Sequence, residues 1–579
     1  MDHVEARILE QIDAKRGALL SFGEETYRSA ETGYEEFNTA RRAAQWLRGF
    51  GYTVREGLAV TGLRAEIGNG DGPAVAVIGE LDGILCPTHP QANAAAGGIS
   101  HACGHHAQLN AVLGAAAAFA DPEVARSIQG RVVFFLVPAE EYVPIERRVR
   151  LAAEGKISRC SGKSELICLG EFDDIDLALT THVHMVDSAA DLLVGNNCST
   201  GSFTKTVRLV GKAAHAAAAP HNGVNALSAA ALGLSAIGLI REGFRERDCV
   251  RVHTNITHGG DAINVVPANV TVEGMVRAAN LDALEAVSAK FDRAFEGTAY
   301  AVGAKAETET WQGYLPGPFI PADPAQLLAA ETVRAAFGPE FSVEKADAGV
   351  QNYASTDVGD LAQVMPVLNF THSGTQGSLH SSDFAVVDPE KALVMPSKMM
   401  ALTAYHLLKE NAALARGAIS RYTPPFTRDE YRSYIRHKYG QLPLKEGDQM
   451  DSSYGMPYTP DPIDRRYGMP TGTLPKDAPG KRKFSQPDEH GRLSIPADDS
   501  YTAFQSRRAI EAIKRGVKSG QPFSVTCSYH FPHAPMLVTD PYYGMYPVEK
   551  MPVPASILDN MKDSPYIEAN GRKLLPQYS

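Results

Sequence analysis

The sequence predicts an α/β protein: a main domain with a mostly parallel sheet and helices on both faces, interrupted by a smaller α/β sandwich. Three observations predict this. Residues 1–185 alternate helical patterns with short β-branched runs, as when strands are joined by helical crossovers. From about 190 to 310 the runs alternate apolar and polar residues, the mark of strands with one exposed face. Beyond residue 416 the composition shifts to Tyr, Pro and Gly, with Tyr-Gly-Met-Pro repeated at 454–457 and 467–470, which marks an appended segment.

In chain order, Glu5 to Leu47 reads as largely helical, Ala74 to Ile78 as strand, Gln108 to Phe119 as helix and Arg131 to Val137 as strand. Thr204 to Val210 and Asn269 to Arg277 read as half-exposed strands, with helical Ala226 to Arg241 and Leu281 to Phe295 beside them. Pro389 to Leu408 reads as a closing helix. The expected layout is a first part of the main domain (1–189), an insert (190–310), a second part (311–416) and a tail (417–579). A chain of 579 residues exceeds one core, and about 150 residues per domain gives three or four units.

The formal net charge is −11, and no basic stripe offsets it, which argues against a nucleic-acid partner. Arg147, Arg148 and Arg150 read as a solvated helix face. No apolar leader follows Met1, and no apolar run approaches the roughly 20 residues that span a bilayer. A soluble, cytoplasmic protein without a membrane partner is expected. The 7 cysteines form no disulfide framework, and Cys160 and Cys168, without nearby histidines, read as thiols rather than a second metal site.

The most informative string is His101-Ala102-Cys103-Gly104-His105-His106, whose Cys-x-His spacing before an Ala-rich helical run suits a divalent transition metal. A strand-like run ends in Glu140-Glu141, another leads into His182 and His184, and His380 lies in a later loop. Each group sits at a strand end or in a loop, where a parallel sheet gathers its active site. A lone histidine or cysteine is more often structural. The ordered set points to a metal.

The chain resembles the metallopeptidase family of aminoacylases and carboxypeptidases, in the amidohydrolase branch of hippurate, indole-acetyl-amino-acid and aminobenzoyl-glutamate hydrolases. Landmarks occur in family order up to about residue 416: Glu31 to Glu36, Gly79 to Gly83, His101 to His106, Glu140-Glu141, His182, Ala214-His215, Pro220 to Ala226, Asn264 to Pro267, Arg277, Ser355 to Asp360, and His380. The resemblance implies a catalytic domain carrying an inserted lid and dimerisation domain. It also implies a homodimer or larger oligomer, and hydrolysis of an N-acyl or N-aroyl amino acid, a small substrate bearing a carboxylate. Cys103, His105, Glu141, His182 and His380 are carried over as ligands for one or two ions, zinc or manganese first and cobalt possible. Glu140 is carried over as general base and Asp82 as the acid orienting a ligand. His215 is expected to help stabilise the oxyanion across a subunit boundary, and Asn264 and Arg277 to hold the substrate.

Two departures keep other readings open. His106 stands where relatives carry Asp or Asn, and His184 follows His182 by two residues. Extra imidazoles would also suit hydrolytic deamination of an activated aromatic amine, as in the family's nitroanthranilate aminohydrolase. A catalytically silent scaffold is the third reading, against which the complete ligand set counts. In the tail, Ala503 to Ile513 and Gln521 to Pro535 resemble part of a sulfatase, without its nucleophile string, so His530 and His533 are expected to be structural and the tail dispensable for chemistry.

Overall fold

The computed structural model describes residues 1–439 except 69, 142–144, 159–160 and 185–187, together with 490–493 and 536–539. The chain divides into Met1–Asp448 and Gln449–Ser579. In the second unit His490–Leu493 pairs in parallel with Met536–Thr539. The sulfatase-like strings, with His530 and His533, lie outside the described residues, as does Cys160.

The first unit is built on an eight-stranded sheet. Its order is Arg55–Leu58, Gly62–Gly68, Arg131–Val137, Ala74–Glu80, Leu177–Val183, Val367–His372, Leu192–Val194 and Val343–Lys345. The pairings through 131–137, 74–80, 177–183 and 367–372 are parallel, and antiparallel strands flank them. Every residue of Ala74–Glu80 is buried, because both faces are covered. Val75 and Val77 pack into one core with the helices His3–Ala14, His105–Phe119 and Met395–Arg421. Ala74, Ala76 and Ile78 face the opposite core, with Leu166 and Ile167 of Gly162–Leu169. His105–Phe119 is buried along its whole length, which its Ala-rich, all-round apolar sequence requires.

The insert is a four-stranded antiparallel sheet, Arg251–His258, Asn269–Ala278, Gly201–Val210 and Lys305–Tyr314, backed by Ala226–Ile240 and Leu281–Ala301. It runs from Gly201 to Tyr314 rather than from 190 to 310, because Leu192–Val194 belongs to the central sheet. Ala226–Gly243 comes closer to membrane-spanning length and apolarity than expected. Here it packs on Leu281–Ala301, so closely that a Cβ on Gly233 would fall 2.4 Å from Phe295.

The expected boundary at 416 also moves. Met395–Arg421, kinked at residues 409–412 where the backbone leaves helical geometry, runs past it, and Arg428–Tyr439 then lies on the body with Tyr431 and Ile435 fully buried. Residues 417–439 are therefore part of the first unit's core rather than a separate tail.

Candidate metal centre

Four parallel strands deliver their following loops to one edge. Ala74–Glu80 leads to Asp82, Arg131–Val137 leads to Glu140 and Glu141, Leu177–Val183 contains His182, and Val367–His372 feeds the loop with His380. Cys103 precedes the helix that begins at His105. Between them Gly104 has φ +86°, and a Cβ there would fall 2.8 Å from Val183, so the turn separating the two donors requires glycine. Ala139 (φ +48°) and His380 (φ +62°) adopt the left-handed region without being glycine. Such residues persist only where their surroundings hold them. Ala139 N donates to Glu36 Oε1 at 2.8 Å, and His380 N to the Ala102 carbonyl at 2.9 Å.

The side chains converge in two groups. Cys103, His105 and His182 place one donor atom each within 4.8 Å of one another; Cys103, Glu141 and His380 do the same, so Cys103 belongs to both. Cys103 Sγ lies 3.6 Å from His182 Nε2 and 3.3 Å from His380 Nε2, and His380 Nε2 lies 2.9 Å from Glu141 Oε1. His105 Nδ1 faces the Asp82 carbonyl at 2.9 Å, and His182 Nδ1 the Val183 carbonyl at 2.9 Å. A carbonyl only accepts, so each Nδ1 carries a hydrogen and each Nε2 is left facing the cluster, where it can give a lone pair to an ion when the ring is neutral. His105 Nε2 and Glu141 Oε1 are buried without a well-directed hydrogen bond, despite neighbours at 3.1 and 2.9 Å. Lone pairs of thiol, imidazole and carboxylate aimed at common points fit a borderline divalent cation.

Carboxylates surround this set. Glu140, buried, comes within 3.9 Å of His105 Nε2 and forms a third close group with His105 and Glu80. Tyr314 donates its hydroxyl to the Glu140 carbonyl at 2.7 Å, and Arg148 donates to the Glu141 carbonyl at 2.8 Å. Asp82 Oδ2 accepts from Glu141 N at 2.8 Å while Oδ1 lies 3.4 Å from His105 Nδ1, so one buried carboxylate touches both donor segments. Burial pushes the Glu140 carboxyl well above the usual range, helped by the charges of Glu80, Asp357 and Glu141 and opposed by Lys163. Burial and then Glu141 push the Cys103 thiol up. Burial raises the Glu141 carboxyl, but the close approach and charge of His380 win and hold it down. Burial and His105 bring His182 down to about 4. Acids crowded this way are eased by positive charge at their centre.

Residues 199–302 match a peptidase dimerisation domain. A p-aminobenzoyl-glutamate hydrolase chain of Escherichia coli is 30% identical over 313 residues, 52% of this chain and 59% of that protein. An uncharacterized hydrolase of Sinorhizobium fredii is 28% identical over 399 residues, 65% of this chain and 90% of that protein. Through this dimerisation domain the chain is similar to M20 peptidases. The fold agrees with the crystal structure of a dinuclear metal binding peptidase of the M20 family from Bacillus subtilis, with TM-score 0.50 at 21% identity, covering 68% of this chain and 99% of the other.

The residues expected to contact substrate from the insert lie outside the two donor groups. His215 is exposed, its Nδ1 accepting from Ala217 N and Ala218 N at 3.2 and 3.1 Å. Asn264 is exposed on the adjoining loop, its carbonyl accepting from Ala216 N at 2.9 Å. Among the described residues no hydrogen bond joins either to the donor groups. Arg277, half-buried on Asn269–Ala278, donates to Ser355 Oγ at 2.6 Å.

The two extra histidines do not join the donors. His106 is fully buried with its ring 4.6 Å from that of Tyr27, and burial lowers it to about 3. His184 is tied to Thr371 Oγ1 and the Ala190 carbonyl, each at 2.8 Å. Sequence reasoning missed Glu36, Glu80, Lys163, Tyr314 and Asp357. A signal existed for Glu36, Glu80 and Asp357, acids inside strings already singled out; Lys163 and Tyr314 gave none.

Proposed function

We propose that this chain is a metal-dependent amidohydrolase that cleaves N-acyl or N-aroyl amino acids to a carboxylate and an amine. The observation that carries the reading is the pair of donor groups sharing Cys103 beside the buried carboxyl of Glu140. Cys103, His105 and His182 would hold one ion, and Cys103, Glu141 and His380 a second, with zinc or manganese suited to the mixed thiolate, imidazole and carboxylate set. Bound there, a divalent cation acidifies water and withdraws charge from the scissile carbonyl.

The remaining work falls to the chain's own groups. Glu140, beside the donors without belonging to either group, takes the proton from the attacking water and passes it to the leaving amine. Asp82 keeps Glu141 and His105 in register. Arg277 offers a forked pair of donors to the substrate carboxylate. His215 and Asn264, exposed on the lid and away from their own chain's cluster, reach the site of a second copy of the chain and steady the oxyanion and substrate. The dimerisation-domain match and the exposed apolar side chains of Leu232 and Leu239 support such a homodimer. The name of the Escherichia coli relative supports an aroyl amino acid as substrate.

The test is amine release from metal-loaded protein given aminobenzoyl-glutamate, hippurate, other N-acyl amino acids and nitroanthranilate. Release from an amide supports the reading. Turnover of nitroanthranilate alone shifts it to deamination, and no turnover of any of them overturns it.

A further inference from the structure

Behind the donor groups lies a buried charge cluster whose only role so far is its effect on the Glu140 carboxyl. Lys163, 0% exposed, stands in the first turn of Gly162–Leu169. Its Nζ lies 2.5 Å from Glu80 Oε1 and 2.5 Å from Asp357 Oδ1, both carboxylates buried. Lys163 N donates to Asp357 Oδ2 at 3.0 Å, so one aspartate grips the lysine at both ends. Glu80 is fixed on its other side as well. Its Oε2 accepts from Gln108 Nε2 at 2.7 Å and lies 3.1 Å from His105 Nε2, while its backbone N donates to Gln108 Oε1 at 3.2 Å. Gln108 and His105 lie three residues apart on one helix and so share a face.

The lysine's backbone is equally constrained. Gly162 N donates to the Ala139 carbonyl at 3.0 Å, and a Cβ on Gly162 would fall 1.7 Å from the Pro138 carbonyl oxygen. Lys163 is therefore anchored to the turn that delivers Glu140 and Glu141. A buried ion pair is seldom more stabilising than apolar side chains of the same volume, so stability alone does not account for a lysine here. What the ion pair provides is a carboxylate in one defined place, and that place is beside His105.

We propose that Lys163 is a positioning residue of the metal centre, acting through Glu80: the ammonium holds the Glu80 carboxylate against His105 and so strengthens binding of a divalent cation there. The inference rests on the amidohydrolase reading only where turnover is measured.

The experiment measures Zn²⁺ affinity of the full chain by competition with a chromophoric chelator, for wild type, Lys163→Met, Glu80→Gln and the double variant. Circular dichroism confirms folding. Glu80→Gln keeps the Lys163–Asp357 pair and should fold. Each single variant is expected to weaken binding by at least about tenfold, and the double variant to lose no more than Glu80→Gln alone, because both act along one path. If Lys163→Met fails to fold, equal losses in Glu80→Gln and the double variant support the proposal. Wild-type affinity in any folded variant, or losses that multiply in the double, overturns it. On an active substrate, kcat should fall with KM little changed. Inactivity of the wild type on every amide would strike the proposed function and leave the zinc result to decide this inference by itself.

Discussion

Tyr431 donates its hydroxyl to Asp360 Oδ1 at 2.6 Å and lies 2.9 Å from Ser164 Oγ, all three groups fully buried. Asp360 Oδ2 in turn accepts from Leu315 N at 3.1 Å, next to the Tyr314 that holds the Glu140 carbonyl. From the same helix Tyr434 donates to Glu285 of the insert at 2.7 Å, Lys438 pairs with that glutamate, and Arg432 pairs with Asp173 of the body. Arg428–Tyr439 thus straps insert to body.

Removing the strap should therefore cost more than its length suggests. Tyr431→Phe takes one donor from a buried carboxyl and is expected to destabilise the fold by about 1–3 kcal/mol in urea unfolding. Truncation after Arg416, harmless if chemistry and fold both ended there, should lower the melting temperature sharply or yield insoluble protein. A truncated chain melting like the full one would show that the strap is ornamental.

Cys103 belongs to both donor groups and His380 to one. Cys103→Ala should accordingly release nearly all bound metal after dialysis, whereas His380→Ala, losing only an exposed donor, should retain about half. Elemental analysis by mass spectrometry separates the two; equal retention would mean that the thiol is not shared.

Acid stability should depend on Asp174. Arg64 donates to both its oxygens, at 2.9 and 2.6 Å, and Arg131 adds a third bond at 2.7 Å. The hydrogen bond from Arg64 outweighs burial and, with Arg131, brings this carboxyl down to about 2. Because the folded value lies below the unfolded one, the stabilisation is complete above about pH 4 and is lost as pH falls toward about 2. Asp174→Asn should be less stable than wild type near about pH 6 and converge with it near about pH 2. Thermal melts across that range would show the convergence, and a constant gap would contradict it.

The lid proposal makes a complementation experiment decisive. His215→Ala and Glu140→Gln proteins, each nearly inactive alone, should regain activity when refolded together, since a hybrid dimer pairs one intact lid with one intact metal centre. Confirmed hybrids without activity would place His215 in the service of its own chain.

Much of this was legible in the sequence. Continuous apolar runs such as residues 132–137 exposed the strands, and a Cys-x-His turn before a helix pointed to Cys103 and His105, which the fold brings into one candidate donor group. What stayed hidden depends on where distant segments meet. Lys163, Glu80 and Asp357 are far apart in sequence, and a lysine is expected at the surface unless its partners are known. His106 follows His105 directly, yet successive helical residues point about 100° apart, so one enters the donor group and its neighbour meets Tyr27. Residue 416 looked like an end because the relevant motifs stop there, whereas the burial of Tyr431 is decided by Ser164 and Asp360.

The most direct test of Glu140 as the base beside a two-ion centre is the turnover of Glu140→Gln protein carrying the same measured metal content as wild type. The exchange keeps the side chain's shape and removes only its ability to take a proton. Metal content should be unchanged and kcat on the best amide substrate should fall by at least about 100-fold. Near-normal kcat at equal metal loading would contradict the assignment.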